Sequence, residues 1–294
     1  MPRRSWTLRA AVLVSAMAGG LLAGTGLQAP ASAAQTLAPQ TLVPQTLTTC
    51  TFSALQTAVD RAATAQGAAI DYGKACTVTF PSQITIPSGQ SVDIDANGYA
   101  VVFDGAKRTR FFQVNGGALT LTGIELRTGH VAGADATTGS SGTGGVQGTD
   151  GTAGSVAGAN GGDAGAGGTG VAGGAGGNAT LAAGGALYVE PGSTLTLGTD
   201  RLLFDSVTGG TGGTGGSGGA GGAGGVGGAG APGATGGNGG AGGAGGAGGN
   251  GGAGGNGGAG GNAEGGAIYA AYAAVSLANV SFSNDTAQGG NGGA

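Results

Sequence analysis

The sequence predicts an all-β chain folded as a parallel β-helix, a solenoid with an N-terminal capping helix and glycine-rich insertions. Three observations carry that expectation: period-two apolar runs with no helical pattern between them, a self-similar unit that recurs, and long glycine tracts that enter after the same strand each time.

The start of the chain reads as an address. Arg3, Arg4 and Arg9 form a basic region, the run from Ala10 to Leu27 is apolar and small, and Ala31-Ser32-Ala33 supplies a small-residue cleavage site, so residues 1–33 are expected to be a signal peptide. Removal of those three arginines moves the formal charge from -4 to about -7. Without a basic stripe or interleaved aromatics, nucleic acid is excluded as a partner. No later apolar run is long enough to span a bilayer, so the expected location is secreted or cell-surface.

Residues 34–48 repeat Gln-Thr-Leu-x-Pro and read as an extended spacer. In 49–68, Ser53-Ala54-Leu55-Gln56 resembles a capping box, and Leu55, Val59 and Ala62 fall at helical spacing, which predicts a short helix covering the open end of the strands. Cys50 and Cys76 both follow the cleavage site, and an even pair in an oxidising compartment predicts a disulfide.

From residue 69 the strands follow: Thr77–Phe80, Gln83–Ile86, Ser91–Ile94, Tyr99–Phe103, Phe111–Val114, Leu119–Leu121 and Ile124–Leu126, separated by turns such as Pro87-Ser88-Gly89 and Asn97-Gly98. Residues 112–121 overlay 187–197 with one residue of slack, and the theme returns from Ile268 to Leu277. Glycine-rich insertions occupy about 139–178 and 209–262, and a third begins at Gly289. The second keeps a Gly-Gly-X register. It lacks the proline of collagen, and its period suits an extended helix of about three residues per turn bundled through backbone hydrogen bonds. Insertions at one point of the repeat should emerge stacked along one edge. The final residues, 289–294, enter glycine without a closing cap and predict self-association through that end.

Gly184-Gly185-Ala186-Leu187 and Gly265-Gly266-Ala267-Ile268, each followed by a phenylalanine strand at Phe204 and Phe282, resemble the repeats of polymorphic outer-membrane proteins and related bacterial right-handed β-helix proteins. The second half of the repeat departs from theirs, with Val207 and Asp285 where asparagine is expected. The glycine tracts resemble those of mycobacterial glycine-rich repeat proteins. The first resemblance implies right-handed coiling and a surface or secreted protein, often adhesive.

Chemistry is sparse. Asp93 and Asp95 alternate on one strand and so share a face, followed by Asp104, Lys107, Arg108 and Arg110. Paired acids with a nearby base suit polysaccharide cleavage, so the alternative function is a carbohydrate-active lyase or hydrolase using Asp93, Asp95 and Arg108 or Arg110. The favoured expectation is a structural or adhesive protein without catalysis, cofactor or metal. Its expected partners are cell-surface or extracellular polymers or a host surface. His130 stands alone, and Asp150 and Asp163 are too isolated to form a calcium ladder.

Overall fold

The computed structural model describes residues 43–65, 67–234 and 238–294. The expected signal peptide and the spacer up to residue 42 lie outside the described residues.

Among the described residues the chain is mostly β with one helix, α1 (Phe52–Ala65). The strands begin with β1 (Val43–Leu47), β2 (Gly67–Tyr72), β3 (Cys76–Thr79), β4 (Ile84–Ile86), β5 (Ser91–Asp95) and β6 (Val101–Asp104). Next come β7 (Phe112–Val114), β8 (Ala118–Thr122), β9 (Ile124–Arg127), β10 (His130–Ala132), β11 (Ala182–Ala183), β12 (Leu187–Val189) and β13 (Thr194–Gly198). The last are β14 (Arg201–Leu203), β15 (Ser206–Thr208), β16 (Ala263–Glu264), β17 (Ile268–Ala270), β18 (Ala274–Ala278), β19 (Ser281–Ser283) and β20 (Thr286–Gln288).

Every pairing is parallel. Three larger sheets run β1-β2-β5-β8-β13-β18, β19-β14-β9-β6-β3 and β17-β12-β7-β4, and two smaller ones run β10-β15-β20 and β11-β16, an arrangement compatible with a parallel β-helix. The overlay read from the sequence is the observed register: Phe112 lies beside Leu187, which lies beside Ile268, and Leu119 beside Leu195, which lies beside Val275.

Alternation places one column of each strand inside. Ile70, Ile94, Leu121 and Leu197 from the first sheet, Val78, Phe103, Leu126 and Leu202 from the second, and Ile86, Val114 and Val189 from the third are fully buried in one core cluster. Its N-terminal part is aromatic, with Phe80 at 5.1–5.8 Å from the rings of Phe52, Phe103, Phe111 and Phe112.

Two expectations about the N-terminus change. Val43–Leu47, read as part of the spacer, is a strand, because its backbone pairs residue for residue with Ala68–Tyr72 at the sheet margin. The helix begins earlier than the capping-box reading places it. Thr51 is the cap, its Oγ1 accepting the Ala54 N–H at 3.3 Å, while Ser53 already lies within the first turn. Leu55, Ala58 and Val59 are buried, and the Gln90 amide donates to the Val59 carbonyl at 2.7 Å. Cys50 and Cys76 form the disulfide, with Cα atoms 5.3 Å apart, and tie the residue before the helix cap to the first residue of β3.

The glycine tracts leave after β10, β15 and β20 and are regular. Residues 133–154 run outward and 159–180 return; 209–231 and 240–261 repeat this, and 289–294 start outward again. Adjacent segments hydrogen-bond at every third residue. Gly145, Gly148 and Gly151 donate to Ala220, Ala223 and Val226 of the parallel neighbour, while Gly165 and Gly168 donate to Thr149 and Val146 of the antiparallel one. At Gly222 a Cβ would stand 1.9 Å from the Val146 carbonyl oxygen, which only glycine avoids.

Candidate binding surface

Outward residues of stacked parallel strands fall into rows, so the surface consists of arrays. On the first sheet Asp93 and Asp95 share one face, as their spacing predicts, and Asp95 lies beside Asp71 of β2. Burial, then the carboxylates of Asp95 and Asp71, raise the Asp93 pKa. Asp95 also accepts the Asn97 N–H at 2.6 Å and so shapes the following turn. The rows continue from Asp93 to Thr120, Thr196 and Ser276, and from Asp95 to Thr122.

The arginines expected to serve these acids belong to other neighbourhoods. Arg108 lines a recess of about 510 Å³ beside Phe52, Phe80 and Pro81. The Arg110 guanidinium lies 4.9 Å over the Tyr188 ring, and burial lowers its pKa. The acids therefore cluster with acids. The basic group lies elsewhere because residues 105–111 form the link from β6 to β7, which carries the chain from the second sheet to the third.

The third sheet carries an aromatic and amide strip that the sequence reading missed. Tyr188 and Tyr269 stack with centroids 5.3 Å apart and planes at 14°, and Arg110 covers the other side of Tyr188. Beside them Gln83 donates to Gln113 at 2.6 Å, and Gln113 donates to Glu190. The signal was present in the overlay, which puts Gln113, Tyr188 and Tyr269 at one register position.

Inside the turns sits a set of acids, of which Asp200 and Asp205 are buried and Asp285 is half-buried. Asp205 accepts the Gly129 N–H at 2.6 Å, and Asp285 accepts the Asp205 N–H at 2.8 Å. Asp200 accepts the amides of Ile124 and Gly198. Burial pushes Asp205 up to about 8, although the Gly129 bond opposes it, and pushes Asp200 and Asp285 up to about 6. Their role is to hold the corners, since each takes an amide from the preceding pass of the chain.

Asp150 and Asp163 have a comparable task on the glycine segments. They accept the N–H groups of Val226 and Ala244 at 2.8 Å, as Asp135, Asn160 and Asn178 do for Thr211, Ala241 and Ala259. These side chains satisfy the X-position amide of the parallel neighbour. His130 is half-buried and its Nδ1 lies 2.9 Å from the Ser206 hydroxyl.

Among the described residues, no three or more His, Cys, Asp or Glu side chains stand together as metal ligands, and no helix is long and apolar enough to cross a membrane. Comparison with protein families, with characterised proteins and with solved structures finds nothing that matches this chain.

Proposed function

We propose that the chain is a secreted or surface-attached right-handed parallel β-helix protein with a structural or adhesive role. The observation that carries this reading is the lateral hydrogen bonding of the glycine segments at every third residue, which makes the insertions a rigid appendage with most of its side chains, Ala231 aside, at its surface. Ordering so many glycines costs conformational entropy, and a cooperative lattice of backbone bonds offsets it. Displayed on that lattice are alanine, threonine and exposed Val146, Val171 and Val226. Such arrays, with the Thr120–Thr196–Ser276 row and the Tyr188–Tyr269 stack, suit many weak contacts to an extended extracellular polymer.

The alternative is carbohydrate cleavage at Asp93 and Asp95. Raised by burial and its acidic neighbours, Asp93 has the character of a general acid, which is the observation favouring that reading. One experiment decides between them. The secreted chain is incubated with polyuronates and neutral polysaccharides, with and without calcium, while product release and retention on insoluble polymers are measured. Retention without product is the expected result. Turnover that disappears in Asp95→Asn, a change that keeps the Asn97 acceptor, overturns the structural reading.

A further inference from the structure

Taking a guanidinium out of water costs free energy unless an acceptor replaces the lost hydration. Arg127 and Arg201 have such acceptors, in Asp104 at 2.9 Å and Glu125 at 3.1 Å. Lys74, Lys107 and Arg108 need none, because they are exposed. Arg110 has neither recourse. It is half-buried, its guanidinium lies 4.9 Å over the Tyr188 ring, and among the described residues no carboxylate or carbonyl oxygen accepts from its side chain. A ring face attracts the charge but gives the planar fork of N–H donors no oxygen to bind. That fork matches a carboxylate in two parallel hydrogen bonds.

The surroundings of Arg110 say what kind of molecule carries that carboxylate. Thr85, Gln113, Tyr188 and Tyr269 form one outward column of the third sheet, on passes about 4.8 Å apart. Gln83 donates to Gln113 at 2.6 Å and Gln113 donates to Glu190, which fixes both amides, while the stack on Tyr269 holds the Tyr188 ring. The Tyr188 hydroxyl has no hydrogen-bond partner among the described residues, and Thr85 is exposed. Amides and hydroxyls therefore flank one unpaired cation, and Glu190 repels any second negative charge nearby. No apolar recess adjoins the column to seat a peptide's side chains. The complement is a ring that carries one carboxylate among several hydroxyls, which describes a uronate sugar.

We propose that the third sheet binds a uronate-containing polysaccharide, Arg110 taking the carboxylate of one sugar while Gln113, Tyr188 and Thr85 meet the hydroxyls of that sugar and its neighbour along the column. The proposal rests on the adhesive reading of the chain and names the polymer for it. It is a binding site and not a cleavage site. The acids Asp93 and Asp95 lie on the first sheet, so a sugar held at Arg110 is not presented to them. Both faces of the Tyr188 ring are occupied, by Arg110 and by Tyr269, so sugars meet its edge and hydroxyl and do not stack on it.

The test is titration calorimetry of the full chain with soluble oligogalacturonate and with its methyl ester, which keeps the hydroxyls and removes the charge. The acid form is expected to bind, more weakly as salt is added, and the ester to bind far less. Arg110→Gln should weaken binding of the acid form roughly 10- to 100-fold with an unchanged melting temperature, Arg110→Lys should fall between, and Lys74→Gln should bind as the native chain does. No binding of the acid form, equal binding of the ester, or an Arg110→Gln variant that binds undiminished each overturns the site. The first two of these need no variant, so the proposal stays falsifiable if Arg110→Gln does not fold. Oligogalacturonate binding without retention on any insoluble polymer overturns the adhesive reading alone, whereas retention on neutral polymers without oligogalacturonate binding overturns this site alone.

Discussion

Asp205 couples the stability of the fold to pH. Its carboxyl is buried, one oxygen lacks a partner among the described residues, and its folded pKa of about 8 lies above the ordinary carboxylate value. A raised acid binds more protons in the native state, so its contribution favours folding below the unfolded pKa of about 4 and is lost progressively as pH rises toward 8. Asp200 and Asp285 act with the same sign up to about 6. Melting temperature should therefore fall between pH 4 and pH 8, and Asp205→Asn should raise it at pH 8 and flatten the profile, as read by calorimetry across that range. A second residue-scale prediction concerns backbone strain. Thr128, Phe204 and Asn284 occupy the same corner of successive passes, all with φ between 57° and 59°. Asparagine tolerates that region and phenylalanine does not, so Phe204→Asn should stabilise by roughly 1 kcal/mol in urea denaturation.

Among the elements, α1 and the glycine segments respond to different perturbations. Reducing the Cys50–Cys76 bond reopens a loop of sequence separation 26 and should cost about 3 kcal/mol, with α1 and β1 losing amide protection before the rest. Gly222→Ala forces a Cβ toward the Val146 carbonyl at 1.9 Å and should cost about 1–3 kcal/mol. Hydrogen exchange should then rise in 133–180 and 209–261 while β5, β8 and β13 stay protected. The elements were legible in the sequence to unequal degrees. Strands such as Ile84–Ile86 and Ser91–Asp95 were readable because alternation is a local property, and the stacking of residues 112–121 on 187–197 was readable because the repeat preserves side-chain type. The strand at Val43–Leu47 was hidden behind Pro44, which sits at a sheet margin and gives no periodic signal. The separation of Asp93 and Asp95 from Arg108 and Arg110 was equally hidden, since it depends on which sheet a link crosses to and not on spacing along the chain.

For the whole molecule, the first and the last described layers differ in what covers them within residues 43–294. At the first, α1 lies over β1 and β2, and Phe52 closes the aromatic cluster. At the other, Val275 and Leu277 are 40% and 37% exposed, whereas Leu195 and Leu197 at the same register positions are fully buried. The difference shows what one further layer would remove from water. Removing the cap by deleting residues 43–65 should convert the first end to the same condition and produce concentration-dependent precipitation, measured by turbidity, because strand margins and apolar rows then face solvent together.

The paired bonds from Gly154 to Ala229 and from Gly161 to Ala241 mark either side of the appendage tip, and the numbering offset between the excursions changes from 75 to 80 between them. Along the arms the offset is constant; only the tip absorbs the difference. Descent of such a protein is correspondingly constrained. A tip can gain or lose residues singly, but an arm can change length only in whole triplets, with its returning partner and the excursions above and below changing alike. The appendage's reach is thus set collectively by its stacked arms, while its tips tolerate a change of length that the arms do not.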